Sequence, residues 1–151
     1  MKRFLFVILM AYPAITLAQS SAEAEVKQAV LSFFEAFHLQ DTTALKSMAK
    51  GDIIMQSIGT DTEGQTVLNQ NSYSQFVRSI GGIPKETEFE ERLLDFRIQV
   101  DGRMANAWTP YEFWYNGQLS HCGVNSFQLI KESDGWKIIY LVDTRRREGC
   151  K

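Results

Sequence analysis

The chain has 151 residues, with 16 lysines and arginines against 18 aspartates and glutamates, a mildly acidic balance that lacks the electrostatic footprint of a nucleic-acid binder. Its one basic run, Arg145-Arg146-Arg147, is followed by Glu148 and reads as a solvated strand end. Once an export leader is set aside, about 130 residues remain, enough for one core and too few for two ordinary domains.

Residues 1–18 read as that leader. Met1-Lys2-Arg3 is basic, Phe4 to Leu17 is apolar, and Thr16-Leu17-Ala18 offers small residues for cleavage after Ala18, the order of a secretory signal. The run is shorter than the roughly 20 apolar residues of a spanning helix and contains Pro13. A single domain over residues 19–151, exported to the periplasm or beyond without stable membrane insertion, is expected. Without the leader, 14 basic residues face 18 acidic ones, a formal charge of −4 against −2 for the whole chain.

From Ala22 to Leu39 the apolar residues Val26, Ala29, Val30, Phe33, Phe34 and Phe37 recur at helical spacing. Asp41 is placed to cap a short second helix through Leu45 and Met48, ending near Gly51. Ile53 to Ile58 and Gln65 to Leu68 look like short strands. Ser72 is placed to cap a third helix that stops at Gly81-Gly82 before Pro84. Four long strands follow: Phe89 to Val100, Arg103 to Tyr115, Leu119 to Lys131 and Trp136 to Thr144. Asp101-Gly102 and Asn116-Gly117 supply hairpin signals between them. Helices first and a meander afterwards describe an α+β domain, its helices on one face of a curved antiparallel sheet.

Two-residue turns at these signals fix which side chains share a face. Glu112 then lies opposite His121, Trp108 opposite Asn125, and Asp95 opposite Trp108. One face collects Asp95, Arg97, Asn106, Trp108, Glu112, Trp114, His121, Asn125, Phe127 and Tyr140. The other collects Phe96, Ile98, Ala105, Ala107, Tyr111, Phe113, Cys122, Val124, Ile130, Ile139 and Leu141. A bulge would exchange part of these sets.

The first face converges polar groups among aromatics, as small-molecule sites do. His121, with an ordinary pKa near neutrality, is the candidate acid or base beside Glu112 or Asp95, or else a histidine that pins the hairpin. Asn125 and Tyr140 offer hydrogen bonds, while Trp108, Trp114 and Phe127 offer flat surfaces to an aromatic ligand or a dimer seam. His38 either closes the cavity mouth or interacts with helix-end carbonyls. Cys122 and Cys150 lie near the same end of the last hairpin, and export favours a disulfide over a metal or nucleophilic cysteine. His121 and Cys122 are adjacent on a strand and point to opposite faces, against joint ligation. The sequence carries no nucleophile elbow, zinc signature or nucleotide loop, so neither metal nor cofactor is expected.

Phe33-Phe34-Glu35-Ala36-Phe37-His38 with Asp41, Ala107-Trp108-Thr109-Pro110-Tyr111-Glu112-Phe113, Ser120-His121-Cys122-Gly123-Val124-Asn125-Ser126-Phe127-Gln128-Leu129, Gly135-Trp136-Lys137-Ile138, and Thr144 with Cys150 resemble the nuclear transport factor 2-like superfamily. Within it they resemble the SnoaL-like, lumazine-binding branch. The resemblance covers nearly the whole mature chain. It implies a cone formed by a bent sheet wrapped on a long helix, a cavity inside it, and a homodimer formed through the sheet. Relatives include isomerases, cyclases, dehydratases and pure binding modules, so the fold alone assigns no activity. Steroid-isomerase relatives use a tyrosine among their oxyanion donors, whereas the first helix here carries Phe33, Phe34 and Phe37. The expected role is binding of a small, partly aromatic ligand without turnover. A cofactor-free enzyme using His121 and a dimeric interaction module are the alternatives.

Overall fold

The computed structural model describes residues 13–150. The expected leader falls largely outside them, and its described part, from Pro13 onward, forms the start of the first helix.

Three helices, α1 (Pro13–His38), α2 (Thr42–Met48) and α3 (Tyr73–Gly81), pack against a seven-stranded sheet. The strands are β1 (Ile54–Thr60), β2 (Thr66–Ser72), β3 (Phe89–Leu93), β4 (Arg97–Asp101), β5 (Met104–Tyr115), β6 (Gln118–Glu132) and β7 (Gly135–Arg146). Their order is β2-β1-β7-β6-β5-β3, with β4 also on β5. All neighbours run antiparallel except β1 and β7, which are parallel. The expected antiparallel meander is therefore one part of a mixed sheet.

Helix α1 buries Val26, Val30, Phe33, Phe34 and Phe37, the stripe its periodicity marked, against the concave face of that sheet. Asp41 caps α2 by accepting the Thr43 and Ala44 amides at 3.0 and 2.9 Å. Ser72 and Gln75 form a reciprocal capping box on α3. Tyr73 at the start of α3 donates to the Leu45 carbonyl at 2.7 Å, joining α2 to α3 through a buried bond.

The expected strand from Phe89 to Val100 is broken. Leu94 to Phe96 lie outside any strand, and β3 and β4 pair separately with β5. The interruption faces Pro110, whose carbonyl accepts the Leu94 amide at 2.9 Å. Proline has no N–H to return on that side, so the ladder cannot continue there.

Candidate functional site

Two bulges decide which side chains enter the concave face. Asn116-Gly117 does form a two-residue turn, with Tyr115 opposite Gln118 and Trp114 opposite Leu119. Ser120 is then left unpaired, and Phe113 rather than Glu112 faces His121. On β7, Ile139 is skipped in the same way: Gln128 faces Tyr140, while Leu129 faces Ile138. A strand alternates its side chains between faces, so each extra residue reverses everything beyond it.

The expected face is accordingly split. His121, Asn125 and Phe127 point inward, as required of cavity residues, and are joined by Tyr111, Phe113, Leu141, Asp143 and Arg145. Trp108, Glu112 and Trp114 point outward. Trp108 faces Ser126 and is 44% exposed, and Trp114 donates to Glu112 at 3.1 Å while Arg92 lies 4.3 Å from its ring centre. Tyr140 also lies outside and donates to Gln56. Asp95 sits in the exposed break between β3 and β4, 4.0 Å from Arg97. The hairpin at Asp101 turns through Gly102-Arg103, since Asp101 pairs with Met104. Arg97 thus faces Trp108, and Asp95 has no strand partner.

The cavity holds about 350 Å³ between α1, α3 and the concave sheet. Its polarity is arranged in rows across the strands. Met55, Leu141, Phe127 and Ala107 are successive cross-strand neighbours and form an apolar row. The next row is polar: Asn69, Ser57, Asp143, Asn125 and Thr109. Phe33, Phe34, Phe37, Phe76, Phe89 and Phe113 complete the aromatic wall. Asn71, Gln75 and Ser79 add polar groups at exposed positions.

Glu91 stands at the polar end and was missed by sequence reasoning, because its strand reads Phe-Glu-Glu-Arg-Leu and nothing in it distinguishes Glu91 from Glu90. It faces Phe113 on β5 and accepts a 2.6 Å hydrogen bond from Asn125 Nδ2. Burial raises its pKa from the ordinary 4.5 to about 8; the Asn125 bond opposes the rise, Asp143 adds to it and Arg145 opposes it. The Glu91 amide donates to His38 Nε2 at 2.9 Å, so the end of α1 holds β3 through a neutral imidazole. Burial lowers the His38 pKa against the opposing charge of Glu90, consistent with that acceptor role. His38 therefore binds a strand amide and does not border the cavity.

His121 lies 4.9 Å from the Phe113 ring, nearly parallel to it, and its Nδ1 is 3.1 Å from Ser120 Oγ. Burial lowers its pKa, with Arg145 acting in the same direction, Asp143 opposing and Arg147 reinforcing. Arg145 Nε donates to Asp143 Oδ2 at 2.8 Å, and the Tyr111 hydroxyl lies 3.1 Å from the same oxygen and 3.0 Å from the Thr144 carbonyl. Gly123 makes this approach possible: a Cβ there would stand 1.7 Å from the Thr144 carbonyl oxygen and 3.0 Å from the Tyr111 ring. On the other side of the sheet, Cys122 and Cys150 form a disulfide with Cα atoms 5.7 Å apart.

No protein-family model matches the chain, and no curated protein matches it in sequence. Solved structures do. A nuclear transport factor 2 superfamily protein from Salmonella enterica serovar Typhimurium shares 19% identity over 87% of this chain and 95% of that one, with a TM-score of 0.64. An NTF2-like protein with a cystatin-like fold from Novosphingobium aromaticivorans shares 13% identity over 93% and 92%, with a TM-score of 0.68. An NTF-2 like protein of unknown function from Silicibacter pomeroyi shares 20% over 84% and 98%, with a TM-score of 0.61. What is common at these identities is the course of the backbone, and the fold of this chain is nuclear transport factor 2-like.

Proposed function

We propose that the protein is an exported domain that binds a compact, largely apolar, partly aromatic ligand and releases it unchanged. The graded cavity carries this reading. Phenylalanines and an apolar strand row surround the ligand body, and Glu91, Asn125, His121, Asp143 and Arg145 gather at one end to orient its polar group. The Cys122–Cys150 disulfide fits an oxidising compartment. Among the described residues no helix is long and apolar enough to cross a membrane. Dimerisation through the outer sheet face, where Trp108 and Met104 are exposed, is part of the same reading, as is membership of the SnoaL-like, lumazine-binding branch.

The test is native purification of the mature protein followed by mass spectrometry of whatever small molecule it carries. Ile83→Trp, which adds bulk to a half-buried lining position, should abolish co-purification while the protein stays folded. A ligand retained in full by this variant would refute the cavity as its site.

One observation favours a second reading, cofactor-free acid–base catalysis. A carboxyl with a pKa near 8 and an imidazole kept neutral border the same cavity, a pairing suited to proton transfer near neutrality. In that reading Glu91 takes the place expected for Glu112 or Asp95 as the partner of His121. Turnover that falls at least 100-fold in Glu91→Gln, with ligand affinity retained, would establish it.

A further inference from the structure

Glu91 is a half-buried carboxyl on the cavity wall with no cationic side chain within ion-pair distance among the described residues. The nearby guanidinium of Arg145 is taken up by Asp143. With Glu91 ionised, the charged groups bordering the cavity are two carboxylates and one guanidinium, so the site is one positive charge short of neutrality. The surroundings that would receive that charge are aromatic: Phe33, Phe34, Phe37, Phe76, Phe89 and Phe113 line the same space, and ring faces attract cations. We propose that the cavity takes a compact monocationic amine, its ammonium group beside the Glu91 carboxylate and its apolar body among the phenylalanine rings. This rests on the binding reading above and names its ligand class.

The groups that face Glu91 set the pH behaviour. They are Asn125 and His121 from β6, Asp143 and Arg145 from β7, Tyr111 from β5, and His38 from α1 on the Glu91 main chain. An incoming ammonium requires the ionised carboxyl, so binding below the pKa of Glu91 expels the carboxyl proton to solvent. Affinity then rises by up to about tenfold per pH unit from pH 6 towards 8 and falls again once the amine itself deprotonates. A ligand accepting a hydrogen bond from the neutral acid would show the opposite slope.

Three probes share one bicyclic body: 2-aminoindane carries a cation, 2-indanone an acceptor, and indane neither. Titrated against the mature protein by ligand-detected NMR at pH 6, 7 and 8, 2-aminoindane should bind most tightly, with its advantage over indane growing with pH. Glu91→Gln should weaken 2-aminoindane about 30-fold or more at pH 8, flatten its pH profile and leave indane unchanged. Calorimetry of the unmutated protein in two buffers at pH 7 supplies a measurement independent of the variant's folding, and should show close to one proton released per amine bound. Equal affinity for 2-aminoindane and indane at pH 8, or a preference for 2-indanone that fades with rising pH, overturns the amine assignment while leaving the cavity as a binding site. No binding of any probe overturns both.

Discussion

Glu91 and Glu112 lie one step out of register on paired strands, Glu91 opposite Phe113 and Glu112 opposite Arg92, yet they occupy different physical worlds. Glu91 points to the concave face, into the cavity wall, with Asn125 as its hydrogen-bond donor. Glu112 points to the convex face, where Trp114 and Arg92 surround it near solvent. The same contrast separates the carboxylates of two ion pairs: Asp143 is buried beneath an exposed Arg145 at the cavity, whereas Asp95 on the outer face is exposed, as is Arg97 4.0 Å away. Residue type alone does not set chemical potential here. Which side of the sheet a residue faces decides whether a carboxylate is hydrated cheaply or held at a cost.

The sharpest way to break that comparison is to disturb the strand approach that keeps the concave face in place. Gly123→Ala drives a methyl into the Thr144 carbonyl, a backbone contact that no rotamer change relieves. A loss of at least about 4 kcal/mol in denaturant unfolding is expected, and a fall below about 1 kcal/mol would mean the strands separate freely. Removing the cross-link from the convex side ranks next. Cys122→Ser with Cys150→Ser opens a loop with a sequence separation of 28 residues and should cost about 3 kcal/mol.

The two glutamates themselves give the third test. Because the folded-state pKa of Glu91 is raised from 4.5 to about 8, the folded protein holds a proton that the unfolded chain releases in that window. Stability contributed by the neutral acid is therefore fully present below about pH 4.5 and declines as pH rises towards 8. The decline should amount to about 2–3 kcal/mol, less than the full shift implies because the carboxyl borders a cavity. Glu91→Gln should flatten this window in chemical denaturation followed across pH, and Glu112→Gln should leave it unchanged; matching curves for the two variants would erase the distinction between the faces. The smallest effect belongs to the outer aromatics. Trp114→Ala forfeits an Arg92 contact at a half-exposed site, worth about 0.5–1 kcal/mol, and Trp108→Ala should leave ligand affinity within twofold because its ring faces away from the cavity.

Much of the architecture was legible in the residues. Phenylalanines at helical spacing fixed α1 and its buried side, Asp41 and Ser72 marked two helix starts, and Asn116-Gly117 gave the turn between β5 and β6. The likeness to the nuclear transport factor 2-like fold was carried chiefly by other stretches, His121-Cys122-Gly123-Val124-Asn125 followed by Gly135-Trp136-Lys137-Ile138. The site was only half legible, and the cause is local. Ser120 and Ile139 are ordinary strand residues with no glycine or proline to announce a bulge, so extrapolating from the turns carried Glu112, Trp108 and Tyr140 to the wrong face and left Asp143 and Arg145 unnoticed. Glu91 was hidden for another reason: its environment is built by Asn125 and Asp143, 34 and 52 positions away, and no local pattern encodes that encounter. The parallel pairing of β1 with β7 was equally out of reach, since it joins distant segments without a turn signal.

The Cys122–Cys150 bond also redirects mechanical load. A pull applied at the end of the chain enters at Cys150 and passes covalently to Cys122 in β6, a strand flanked on both sides, without travelling along β7. The strand that carries Asp143 and Arg145 is thereby shielded from tension. A tether, a crowded surface or a bound neighbour tugging on the chain beyond Cys150 would load the start of β6, at His121, and leave Asn125, Asp143 and Arg145 inside the bypassed loop at rest, until a reductant cuts the shortcut and returns the force to β7.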